Sequence, residues 1–178
     1  MPEHEPKAAE ITDAFIAAVR KTLTEGMRKI EHCAAQLTDA QIWHRPRPEM
    51  NSIANLMLHL SGNLRQWIVS GVGGAKDIRN RPMEFSDRSN RPKHEVLAIL
   101  KQTVSEADIA LSAVTPAALL SCRQIQSYDV KVIEAIEHTI PHFRGHVQEI
   151  IHMTRQQVGE QYRFDFVPKG KAQESAGN

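Results

Sequence analysis

The stretch NSIANLMLHLSGNLRQWIVSG, residues 51–71, decides the fold. Ile53, Leu56, Met57, Leu60, Leu64, Trp67 and Ile68 recur at helical spacing and form one apolar stripe. Asn51 or Ser52 is a natural N-cap, and Gly71 is a stop. Beside the stripe runs a polar line of Ser52, Asn55, His59, Asn63 and Gln66. A polar line flanking the core face, rather than opposing it, suits a cleft between neighbouring helices.

The same periodicity extends outward. From Ala8 to about Leu37, apolar residues return near helical spacing, from Ile11 and Phe15 to Ile30 and Leu37. A third helix starts near Pro92, which fits a first helical turn, and carries Val96, Leu100, Val104, Ala107 and Leu111 on its core face. The last helix is expected from about Asp129 to Val158, with Ile133, Ile136, Ile140, Phe143, Val147 and Ile150 inward. Between these lie a proline-broken loop over 38–50, an aperiodic segment over 71–92, and a short turn in TPAALLS. An unstructured connection of that second length, ~20 residues, is usually functional or disordered. YRFDFV, residues 162–167, reads as an extended segment that docks on the bundle or on a second copy. No strand pair is evident. The expectation is an all-α four-helix bundle forming a single domain over residues 1–167, with a disordered tail over 168–178.

Composition excludes several classes. Basic and acidic residues number 22 and 21, a net of +1, without the basic excess that nucleic acid attracts. No apolar run approaches the ~20 residues of a membrane span, and Met1–Lys7 is polar, so neither a membrane partner nor an export signal is expected. Cys33 and Cys122 form no C-x-x-C, which fits a reduced cytoplasmic chain with both thiols buried and inert. Nine histidines are more than background.

Those histidines carry the chemistry. In PHFRGHVQEI, residues 141–150, His142 and His146 sit four apart on one flank of the last helix, with Glu149 on the same line. Side chains so spaced have Cβ atoms ~5–6 Å apart, which lets two imidazoles reach one ion at ~2.0–2.1 Å. His59 offers a third ligand from the flank of the second helix. The same spacing is also common on a wet helix face, where a histidine needs no ligand. His138 and His142 form a rival pair, but Pro141 between them should bend that turn. A zinc protease signature is missing because Phe143 follows the first histidine where a glutamate would act as base. No phosphate-binding glycine loop and no G-x-S-x-G occurs.

NSIANLMLHLSGNLRQWI together with HTIPHFRGHVQEI resembles the DinB/YfiT-like superfamily, particularly its DUF1572-type branch. That resemblance implies an up-down-down-up bundle. It also implies a divalent ion, often nickel or zinc, held by His59, His142 and His146. Many members continue after the last histidine with x-Gly-Gln-Ile, whereas this chain reads Val147-Gln148-Glu149-Ile150. Characterised relatives include transferases and isomerases that use low-molecular-weight thiols. The function so implied is metal-dependent S-transfer from a thiol to a small electrophile. A metal-dependent hydrolase and a non-catalytic metal- or ligand-binding bundle are the alternatives. Asn55, Asn63 and Glu149 are placed as pocket or supporting residues, and Arg79, Arg81 and Arg144 as groups able to meet an anion. Small-molecule substrates and a homodimer are the expected partners.

Overall fold

The structure is a computed structural model describing residues 4–166. Its long helices are α1 (His4–Ala34), α3 (Ile53–Leu64), α5 (Lys93–Ser112) and α7 (Val132–Val158). Short helices α2 (Asp39–Trp43), α4 (Arg81–Ser86) and α6 (Pro116–Leu119) lie in the connections. Helix α3 continues through a π-helical stretch, Arg65–Val72.

Side-chain pairing fixes the directions. Arg20 bonds Asp108 and Lys101 bonds Glu31, so α1 and α5 run antiparallel. Ser61 meets Thr103 and Arg65 meets Glu106, so α3 runs with α5. His59 meets His142 while Trp67 packs against His138, so α7 opposes α3. The result is the expected up-down-down-up bundle.

The core follows the sequence stripe: Leu56, Met57, Leu60, Leu64 and Ile68 are fully buried, as is Phe143 at the centre of α7. Phe143 reaches its place because Gly26 of α1 has no side chain. A Cβ there would stand 2.5 Å from the Phe143 ring. Among the described residues no helix is long and apolar enough to cross a membrane.

Four expectations are corrected. First, a hairpin exists: β1 (Cys122–Ile125) pairs antiparallel with β2 (Tyr128–Lys131). Its strands have four residues each and only Ile125 is buried, so they show little alternation. The turn uses Gln126 at φ +57° where glycine or asparagine would have signalled it. Second, α7 therefore begins at Val132, and Asp129 lies in β2. Third, 71–92 is not featureless: Asn80 caps α4 by accepting from the Met83 N–H, with Pro82 in its first turn. Fourth, Cys33 is buried but Cys122 is exposed.

Helix α7 continues through Pro141, whose ring lies on the exposed side. The segment after it docks on the bundle of its own chain. Arg28 pairs with Asp165 at 3.0 Å, and Gln36 bonds the Arg163 backbone in both directions. The tail expected over 168–178 lies outside the described residues.

Candidate metal centre

Helix α3 starts with a reciprocal cap. The Ser52 hydroxyl accepts from the Asn55 N–H, and the Asn55 carboxamide oxygen accepts from the Ser52 N–H. The Asn55 amide nitrogen then donates to the Glu84 and Asp87 carbonyls at 2.9 and 3.3 Å. This bond ties α4 onto α3 and sets Glu84 above His59. Asn55 thus supports the site from behind and does not line the cavity beside it.

His59 is held tightly. Its Nδ1–H donates to Glu84 Oε2 at 2.9 Å, which turns its Nε2 toward the cleft. Glu84 is clamped in turn by Arg79, whose Nε and Nη2 donate to Oε1 and Oε2 at 2.7 and 2.9 Å. The Arg79 and Glu84 side chains are only 4% and 9% exposed, so this is a buried, bidentate pair. Burial pushes the Glu84 carboxyl up, but the hydrogen bonds from Arg79 and His59 outweigh it and hold the group below the usual carboxylate range. Gly62 makes the clamp possible, because a Cβ there would lie 1.9 Å from Glu84 Oε1.

Across the cleft, α7 supplies the other two imidazoles. His59 Nε2 and His142 Nε2 are 3.0 Å apart. His146 donates from Nδ1 to Glu149 Oε2 at 2.7 Å, so Glu149 orients it and frees its Nε2. One ring nitrogen from each of His59, His142 and His146 lies within 4.8 Å of the other two. Burial first, and then the neighbouring His146 and His59, pushes His142 down to about 4. Its ring is therefore neutral and its lone pair available near neutral pH.

This donor set fits a divalent cation. Nitrogens bound at ~2.0–2.1 Å in a tetrahedral array stand about 3.3 Å apart, close to the observed 3.0 Å. Two facing Nε2 atoms also cannot both present lone pairs at that separation. Either His142 turns an N–H toward His59, or a cation takes the place of that proton. The three histidines thus form a group able to hold a metal ion.

A cavity of about 450 Å³ opens beside His59 and His142, with Asn63, Trp67, Val130 and His138 among its walls. The hairpin supplies Gln126, Tyr128 and Val130 to it. Gly71 lets that hairpin close on the π-helical stretch, since a Cβ there would meet Ile125 at 2.3 Å. Of the arginines expected to meet anions, Arg79 is committed to Glu84 and Gln66. Arg144 is exposed against Thr22 and Glu25, away from this cavity. Of the three, Arg81 lies at the mouth with no ion pair among the described residues, its guanidinium over the Phe85 ring at 5.1 Å. Gly145, between the two α7 histidines, has nothing within 4 Å of the position a Cβ would take.

Sequence reasoning named the three histidines but missed Glu84 and Gly62. Glu84 sits 25 residues beyond His59 in the segment without periodicity. Only the cap-like Asn80 and Pro82 pair hinted at a helix there.

The family described as protein of unknown function DUF1572 matches residues 10–171. Two solved structures are similar in fold. One is a DinB-like protein from Bacillus cereus ATCC 10987, 15% identical over 78% of this chain and 90% of that one, with a TM-score of 0.62. The other is a conserved protein from Enterococcus faecalis, 17% identical over 81% and 97%, with a TM-score of 0.66. No curated protein matches the chain significantly.

Proposed function

The chain belongs to the DUF1572 family, and on that premise we propose that it holds a divalent ion, nickel or zinc, through His59, His142 and His146. We propose further that it uses the ion to activate a low-molecular-weight thiol for transfer to a small electrophile. The observation that carries the reading is the convergence of three imidazole nitrogens within 4.8 Å, with His59 and His142 lining a 450 Å³ cavity.

When bound, the ion supplies Lewis acidity, lowering the pKa of a thiol or water beside it toward neutrality. The protein's own contribution is positional. Arg79 and Glu84 hold His59 in one tautomer, and Glu149 does the same for His146. Such supporting carboxylates typically set metal affinity or activity by 10–100-fold. Three neutral imidazoles leave the ion's positive charge undiminished, which favours an anionic nucleophile. Trp67 and Val130 line the adjoining space with apolar surface, which suits an electrophile that water would otherwise consume.

Elemental analysis of the purified protein, dialysed against zinc or nickel, tests the centre. One ion per chain is expected, lost in His59→Ala and in His142→Ala; absence of bound metal in the wild type sinks the reading. Thiol-dependent consumption of an electrophile by the loaded protein then tests the chemistry. Thiol-independent cleavage would mark a hydrolase instead, and a lowered melting temperature on metal removal, without any turnover, a structural ion.

A further inference from the structure

Among the residues lining the cavity, one carries a buried polar atom with no hydrogen-bond partner among the described residues. Asn63 stands one helical turn beyond His59 on the same face of α3 and is 5% exposed. Its Oδ1 is buried, with no hydrogen-bond partner among the described residues. An unpaired buried carbonyl costs about 1–3 kcal/mol, so a fold serving stability alone would place an apolar residue there. Its neighbours show that the region is otherwise well satisfied. Gln66, three residues on, bonds Asp77, Arg79 and Gln126.

The rest of the cavity narrows the ligand. Trp67 and Val130 give it apolar walls. Arg79 is neutralised by Glu84, while Arg81 and Glu134 place one charge of each sign at the rim. The walls therefore select no net charge. A volume of 450 Å³ falls in the range of small-ligand sites, ~300–1,000 Å³.

We infer that Asn63 is a substrate-recognition residue. Its Oδ1 accepts a hydrogen bond from an N–H or O–H of a small, uncharged, largely apolar molecule. That donor lies about 6 Å, one helical turn, from the atom offered to the histidines, and the apolar body packs on Trp67 and Val130. This inference rests on the three-histidine centre proposed above.

The test uses zinc-loaded protein and two probes, 3-sulfanyl-N-phenylpropanamide and its N-methyl counterpart, which lacks the amide N–H. Titration calorimetry should show the wild type preferring the N–H probe by about tenfold, the worth of one hydrogen bond whose loss strands a buried acceptor. Asn63→Leu, which keeps the γ-branched shape, and Asn63→Ala, which adds no bulk, should both abolish that preference. Both should retain the zinc content of the wild type and unfold at an equal or higher urea concentration. Equal affinity for the two probes, failure of both to bind, or a preference that survives the substitutions overturns the inference. So does destabilisation of both variants, which would make Asn63 a structural residue. Zinc content, measured separately, tells any of these from failure of the metal centre itself.

Discussion

Replacing Gly62 by alanine sets two effects of opposite sign against each other. In a helix interior glycine to alanine gains about 1 kcal/mol of propensity. Here the new methyl would sit 1.9 Å from Glu84 Oε1 and 3.1 Å from Arg79 Nε. Restoring an ordinary C···O contact of ~3.3 Å moves the carboxylate by about 1.4 Å. The hydrogen bonds at 2.7 and 2.9 Å to Arg79 and at 2.9 Å to His59 cannot survive a shift of that size. Disrupting a buried ion pair costs about 3–5 kcal/mol, so the net loss should be about 2–4 kcal/mol. With a urea dependence of about 2 kcal/mol per molar, the unfolding midpoint falls by about 1–2 M. Freed of its carboxylate, His59 should also lose zinc affinity by 10–100-fold. Gly145→Ala is the matched control: it lies inside α7 with nothing within 4 Å of its Cβ, and should stabilise. If Gly62→Ala unfolds at the wild-type midpoint or above, and binds zinc equally well, the clamp does not position His59.

Three further outcomes are expected. Phe143→Ala removes a fully buried ring seated against Gly26, and should cost about 3–5 kcal/mol in urea unfolding; a loss under 1 kcal/mol would show that α1 and α7 do not pack there. A thiol reagent at neutral pH should titrate Cys122 alone in the native protein and both cysteines in denaturant, because burial shields Cys33 and pushes its thiol up. Without metal, stability should be full above pH 6.5 and fall toward pH 4. Over that window the unfolded chain takes a proton that His142, lowered to about 4 in the fold, refuses. Urea midpoints in chelator should show that slope in the wild type and a weaker one in His142→Ala; equal slopes would remove His142 as its source.

The four long helices were legible in the sequence because each buries one stripe, and a stripe repeats every 3.6 residues whatever its partners. Ile53 to Ile68 and Ile136 to Ile150 show it plainly. The histidines were legible for the same reason: four residues on one helix is a local distance, so His142 and His146 announce each other. The β1–β2 hairpin was not, since Ile125 and Gln126 gain their meaning only from Gly71 and Gln66, more than fifty residues upstream. Glu84 shows the limit most clearly. Nothing near it in the chain distinguishes it from a solvated glutamate. It becomes the carboxylate that fixes His59 only when Asn55 binds the α4 backbone and Gly62 leaves room. Periodicity records which face of a helix is dry. Which polar groups share one dry place is decided by tertiary packing, because an unpaired charge there is too costly to leave alone.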